Sequence, residues 1–495
     1  MKTQKKQIRT IALATGAVVA WLVLSTTTHA QSSDALIDKL VDKGILTVKE
    51  ANDLREETDK NFNSAYSVKS GMPDWVTSFK INGDMRGRYE GFFYPDNEAQ
   101  IVDRNRWRYR ARLGFVANIK DNFEVGLRLT SSEAVGNVGG DPISSNTTMT
   151  SNGSKKFVFL DLAYGKWKAV DNSLWTATTT VGKMENPFVY SDMVFDPDYT
   201  PEGVAQQFSF NVSELHTLKF NLGGFALSEL VGSVSDAYMS GAQLRMDSKW
   251  TPKISTSAGL GVLAISGLEK LQTGDIAAIQ ATPVGKPGVP AQAGVPDQNK
   301  GNVRDYTIDL YGNYKPLGSN PAPIYHFNPI TADVAATYLF ESFPMYSGAF
   351  PVKVFADYIV NPAAHDNDQG YQVGITFGKS GKKGTWDFGY RWKVLEANAW
   401  YEEVVDSDFG AFYQTGRYAA GNLISTTDFS NNPSNFKSGY GAGTNVRGHV
   451  LKATYSPYDA LTLGVTYYLT EVINAAPNTD RSPTGRVQMD AVLKF

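Results

Sequence analysis

The 495-residue sequence contains no cysteine, which excludes a disulfide framework and any thiolate metal site. It also lacks any stretch approaching the roughly 20 apolar residues that a membrane-spanning helix needs. The one apolar run, Ile11 to Leu24, is short for a span and follows Lys2, Lys5, Lys6 and Arg9. With the small residues of Thr28-His29-Ala30 behind it, residues 1–30 read as a secretory signal peptide. Its removal moves the formal charge from −3 to about −7. Histidine is scarce: beyond the leader only His216, His326, His365 and His449 occur. None stands in a recognisable nucleophile–base arrangement, although His449, beside Arg447, is expected to face the interior of the fold. No phosphate-cradling Gly-rich loop opens a helix, so nucleotide chemistry is excluded. The expectation is no enzyme, no cofactor, no metal and no nucleic-acid partner.

What the chain has instead is 45 glycines and, together, 51 tyrosines and phenylalanines. Only residues 34–60 carry helical spacing: Leu36, Ile37, Leu40 and Val41 form one stripe, and Ala51 and Leu54 continue a second. Gly44 breaks the run, and Thr47-Val48-Lys49-Glu50 reads as a capping box. Residues 31–76 are therefore expected to be a periplasmic helical pair and a polar linker, the alternative being a loosely ordered leader.

From about Thr77 the period is two, as in strands whose successive side chains point to opposite faces. Phe123, Val125, Leu127 and Leu129 alternate with Glu124, Gly126, Arg128 and Thr130. The pattern recurs at Trp175–Val181, Tyr306/Ile308/Leu310, Val352–Tyr358, Tyr371–Phe377, Trp386–Trp392 and Leu461–Leu469. At the end of the chain Val487, Met489, Ala491, Leu493 and Phe495 share one face, and Gln488, Asp490 and Lys494 the other. A terminal strand with an apolar outer face and a final Phe is similar to the signal that outer-membrane assembly machinery reads. Lys120-Asp121-Asn122 and Ser456-Pro457-Tyr458-Asp459 look like tight turns, whereas 131–155, 267–302 and 407–445 are long Gly-, Pro-, Ser- and Asn-rich loops. Short turns on one side and long loops on the other suit an outer-membrane barrel. The expected fold is all-β, a transmembrane antiparallel barrel of about 16–18 strands over residues 77–495 with a short N-terminal helical segment. Aromatics near strand ends (Tyr89, Phe92, Phe93, Tyr94, Tyr467, Tyr468) are expected to mark the membrane interfaces.

The most informative strand runs from Arg104 to Phe115. Setting Trp107, Tyr109, Ala111, Leu113 and Phe115 toward lipid gathers Arg106, Arg108, Arg110 and Arg112 on the lumen face. An arginine in mid-membrane facing hydrocarbon costs about 2–4 kcal/mol, which fixes that register. The neighbouring strands add Arg86 and Arg88 on one side and Arg128 on the other. A wall of guanidinium groups favours anions and can grip carboxylate or phosphate; alternatively Asp84, Glu90 and Glu124 neutralise it and leave a structural ion-pair network. Segment 183–203 is too irregular for a strand. With Lys183, Glu185, Asp192, Asp196, Asp198 and Glu202, it is expected either to fold inward as a constriction loop or to stand as an ordinary external loop.

Leu36 to Arg55, Arg106–Arg112, Asp121-Asn122-Phe123-Glu124-Val125-Gly126-Leu127-Arg128 and Gly182-Lys183-Met184-Glu185-Asn186-Pro187-Phe188 together resemble the bacterial "putative porin" family. Tyr190-Ser191-Asp192, Asp196-Pro197-Asp198 and Pro201-Glu202-Gly203 strengthen the likeness. The resemblance implies an outer-membrane channel through which small hydrophilic solutes or ions diffuse passively, and it names no substrate. Outer-membrane lipid and the barrel assembly machinery are the implied partners. A homotrimer fits a large porin, though no feature of the sequence fixes it. The competing readings are a structural or tethering outer-membrane barrel with a blocked lumen and, more remotely, a barrel enzyme.

Overall fold

The computed structural model describes residues 72–93, 103–135, 139–229, 236–268, 301–303, 306–308, 314–316, 323–413, 439–474 and 483–495. The chain divides into two compact units, Met1–Phe79 and Lys80–Phe495. In the first, residues 72–79 are described; a turn in which the Val76 N–H donates to the Pro73 carbonyl at 3.0 Å leads into an extended strand. The signal peptide and the helical pair expected over 34–60 lie outside the described residues.

Sixteen strands form the barrel. They are β1 (Val76–Phe93), β2 (Arg104–Ile119), β3 (Phe123–Ser131), β4 (Val158–Asp171), β5 (Trp175–Lys183), β6 (Glu202–Asn211), β7 (His216–Ser228) and β8 (Ala237–Lys249). Then follow β9 (Ile254–Ser266), β10 (Ile330–Phe340), β11 (Phe350–Val360), β12 (Gln369–Gly378), β13 (Thr385–Leu395), β14 (Val446–Tyr458), β15 (Leu461–Val472) and β16 (Thr484–Lys494). Each pairs with its neighbour in the chain. β16 returns to β1 antiparallel, with Asp84 opposite Lys494 and Phe93 opposite Gly485. Closure leaves no unpaired edge, the condition for strands to cross a bilayer.

The period-two pattern settles which face is which. Trp107 is 59 % exposed, whereas Arg108, the next residue along, is 6 % exposed. Ile81, Met85, Leu113, Val125, Leu127, Leu244, Leu260, Val334, Val354 and Leu463 continue the exposed apolar outer surface. The turn from β2 to β3 is tight because Asp121 and Asn122 both take positive φ, 61° and 64°. Consecutive left-handed residues match the right-handed twist of a hairpin, and short polar side chains tolerate that conformation best.

Three expectations need correction. Tyr306–Ile308 is not a barrel strand; it pairs with Tyr314–Pro316 as a separate ribbon between β9 and β10. His449 does not face the lumen. It lies opposite Trp392 on the outer face, 4.4 Å from that ring, and its Nδ1 is 2.9 Å from the Tyr390 hydroxyl. Phe92 and Tyr468 are buried on the inward face, under the Arg486 guanidinium at 5.2 and 5.7 Å from the ring centres. A cation above an aromatic ring, and not a membrane interface, is what holds these two rings.

The inner wall is not uniformly polar. Phe225 on β7, Met239 on β8, and Leu263 and Ile265 on β9 point inward and are buried. They form one cluster with Met184, Phe188, Met193, Val194 and Phe195 from the segment between β5 and β6, and with Trp400, Tyr401, Val404 and Val405 from the segment after β13. Apolar lumen wall on one side is therefore covered by chain folded into the barrel, which removes it from water.

Candidate channel constriction

The segment between β5 and β6, residues 184–201, crosses the interior. Its first half lies on the wall of β7–β10. The Val189 N–H donates to Gln243 Oε1 at 2.9 Å, and Gln243 Nε2 donates back to the Val189 carbonyl at 2.8 Å. Phe188 and Tyr190 lie over glycines: an added Cβ on Gly241 would sit 2.8 Å from the Phe188 ring, and one on Gly261 would overlap the Tyr190 hydroxyl. Small residues on these strands make room for the loop.

Beyond Tyr190 the loop reaches charge on other walls. On β13, Arg391 Nη1 is 2.5 Å and Lys393 Nζ 3.2 Å from the Asp192 carboxylate. On β2, Arg110 Nη1 is 3.3 Å and Arg112 Nη1 3.5 Å from Asp198 Oδ1. Between these, Asp196 Oδ1 accepts from the Asp198 N–H at 2.7 Å and Oδ2 from the Ser407 N–H at 2.8 Å. Glu185, nearer the start, reaches Arg128 at 3.0 Å. Lys183 and Glu202 pair with each other at 3.0 Å where the segment leaves and rejoins the wall, apart from the arginines.

A second inward segment, 396–409, escaped the sequence reading. Trp400 is fully buried and its Nε1 donates to the Val194 carbonyl at 2.9 Å. The Asp196 N–H donates to the Val404 carbonyl at 2.8 Å, and the Asp406 N–H to the Asp192 carbonyl at 3.1 Å. The two segments are zipped along their backbones. The signal was present in strands apolar on both faces, such as Leu260-Gly261-Val262-Leu263-Ala264-Ile265 in β9. Such a strand must be covered on both sides.

The arginine wall is largely paired. Arg88 Nε is 2.7 Å from Asp490 and its Nη1 3.0 Å from Asp408. Arg106 bonds Glu90, and Arg108 lies 3.9 Å from the same carboxylate. Arg110 and Arg112 share Asp84 at 2.8 and 2.6 Å, besides Asp198. Arg128 lies 2.5 Å from Asp161. Glu124 takes no part; it accepts from Lys166 and Tyr164 at 2.8 Å. Arg86 differs: its Nη2 donates to Asn146 Oδ1 at 2.6 Å, and no ion pair joins it to a carboxylate among the described residues.

The loop acids are split by their surroundings. Burial raises every one of them. For Asp192, Arg391 and Lys393 outweigh burial and hold the carboxyl at about 2. For Asp198, Arg110, Arg86 and Arg112 likewise hold it below the usual range. For Asp408, Arg486, Arg88 and Arg86 hold it well below. Asp196 goes the other way: burial and the neighbouring Asp198 and Asp406 push it well above. Asp406 also rises, burial and the acids Asp192 and Asp408 exceeding the effect of Lys393 and Arg391.

Between the two segments and the wall of β1, β2 and β11–β16 lies a cavity of about 580 Å³. Its lining carries seven cationic side chains (Arg86, Arg88, Arg110, Arg112, Arg391, Lys452, Lys494) and the six aspartates 192, 196, 198, 406, 408 and 490. Cationic side chains outnumber acidic ones in this lining, seven to six.

A closed 16-strand barrel with an apolar outer surface and charged segments folded inside is an outer-membrane, porin-like barrel protein. Residues 98–283 match the family described as "Putative porin". No curated protein matches it. Among solved structures, the high-pH structure of Pseudomonas putida OprB is 12 % identical, covering 84 % of this chain and 94 % of that one at a TM-score of 0.45. Salmonella typhi OmpF, in complex with daunomycin, is 8 % identical over 86 % and 99 %, TM-score 0.43. The outer membrane channel DcaP of Acinetobacter baumannii is 12 % identical over 87 % and 99 %, TM-score 0.39.

Proposed function

We propose that the protein is a passive channel for small hydrophilic solutes or ions with a preference for anions. Residues 1–30 act as the signal peptide, 31–76 as a periplasmic helical pair with its linker, and 77–495 as the barrel. Insertion relies on the barrel assembly machinery, and the assembled state is a homotrimer. In this reading Arg86, Arg88, Arg106, Arg108, Arg110, Arg112 and Arg128 line the pore wall and 183–203 is the constriction loop.

The observation that carries the reading is the approach of Asp198 to Arg110 and Arg112, 3.3 and 3.5 Å, beside a lining in which seven cationic side chains outnumber six acidic ones. The loop meets the basic wall in direct ion pairs, and the excess of Arg and Lys along the lining lowers the barrier for anions. Solutes cross by diffusion, with no covalent step.

Swelling of proteoliposomes tests this. An uncharged pentose and the gluconate anion should both enter, gluconate faster than a sugar amine of matched size. Vesicles that swell with neither, at confirmed protein incorporation, contradict the channel; faster entry of the amine contradicts the preference.

A further inference from the structure

Most of the arginine wall is already paired with carboxylates, so a passing solute must find cations without such partners or compete for those that have them. Arg86 on β1 and Arg391 on β13 both line the 580 Å³ cavity. In each, Nε is buried and has no hydrogen-bond partner among the described residues. Arg86 also makes no ion pair with a carboxylate among the described residues, and the matching partner of a guanidinium is an oxyanion. Lys452 lines the same cavity from β14. Val450 is the residue opposite Arg391, so Lys452 is its diagonal neighbour, about 7–8 Å away and facing the same side. No carboxylate pairs with Lys452 among the described residues, and its side chain is exposed to the lumen.

We propose that the cavity is a binding site for a small oxyanion, a carboxylate or a phosphate, held between Arg86, Arg391 and Lys452. The proposal deepens the channel reading and depends on it only for access. The polar neighbours suit an anion that stays hydrated on one side: Thr462 and Thr466 line the wall next to Lys452 and carry hydroxyls, whereas Thr454 gives its hydroxyl to Ser380 and Asp387. The acids Asp192 and Asp406, 2.5 and 3.9 Å from Arg391, compete for that guanidinium. The site should therefore hold its anion loosely enough to release it, as conduction requires.

The test is equilibrium dialysis of the detergent-folded full chain against radiolabelled inorganic phosphate and, separately, radiolabelled acetate at low ionic strength. Wild-type protein should bind one or both saturably, and the anion retained identifies the chemistry preferred. Lys452→Gln, an exposed position with no packing role, and Arg86→Gln should each weaken binding at least tenfold. Arg447→Gln on the outer face should leave it unchanged. Absence of saturable binding to the wild type, or equal binding by the Lys452 and Arg86 variants, overturns the site. Bilayer currents in potassium chloride read the channel separately. Currents without phosphate or acetate binding would sink the site alone, and binding without currents would sink the channel alone.

Discussion

Asp198, on the segment between β5 and β6, has its carboxylate 3.3 Å from Arg110 and 3.5 Å from Arg112 on β2. One acid thus partly neutralises two members of the arginine ladder. Replacing it unmasks them. Asp198→Asn should shift the zero-current potential further to the anion side in a salt gradient, and neutralising Arg110 and Arg112 should shift it back. Bilayer recordings of the three variants check this. An unchanged potential in all of them would remove the pair from selectivity.

The interlock of the two inward segments rests on Trp400. Its side chain is fully buried, and Nε1 bonds the Val194 carbonyl at 2.9 Å. Truncating a buried Trp to Ala costs about 3–5 kcal/mol. Because the barrel wall is hydrogen-bonded independently, the loss should fall on the loops. Trp400→Ala should keep heat-modifiable gel mobility and give larger, noisier single-channel currents. Unaltered current would show that 396–409 does not bound the path.

These loops also set a pH dependence whose sign follows from their acids. The Asp196 carboxyl is raised in the folded state, so the folded loop holds its proton more tightly than the unfolded one. Its contribution is full below the ordinary carboxylate range and is lost as pH climbs through the raised value. Asp192 and Asp198 are lowered; their contributions are present above the ordinary range and fade as pH falls. Loop protection in amide exchange, corrected for intrinsic rates, should peak at intermediate pH. Asp196→Asn should lessen the decline on the alkaline side, to which Asp406 also contributes, and leave the acid limb in place.

At the seam where β16 closes on β1, Glu90 is fully buried and 2.7 Å from Arg486. It also bonds Arg106 and lies 3.5 Å from Arg88. Removing one partner of a buried ion network leaves charges uncompensated and costs about 3–5 kcal/mol. Glu90→Ala should lower the temperature at which the barrel loses its folded gel mobility, far more than Glu124→Ala, whose partners are more exposed.

Much of this architecture was legible in the chain. Outward Trp107 and Leu113 against inward Arg108 and Arg110 follow from the period of two, because a one-residue slip would turn arginines to lipid. The irregularity and the acids of 183–203 left an inward constriction loop and an ordinary external loop both open. Segment 396–409 carries no local signal of its own, since its packing depends on Phe225, Met239 and Leu263 being inward on strands far away in sequence. Nor did the sequence reveal which arginines are paired: Asp198 and Asp408 reach them from loops. His449 misled because a histidine next to Arg447 reads as polar, whereas its ring fits between Trp392 and Tyr390 on the outer face.

The central claim is a water-filled path biased toward anions, and planar-bilayer recording under a potassium chloride gradient tests it most directly. Purified protein with confirmed heat-modifiable mobility should give stepwise conductance and a zero-current potential on the chloride side. A silent membrane from folded protein would contradict the channel and favour a barrel with a blocked lumen, while steps with a potential on the potassium side would contradict the arginine assignment.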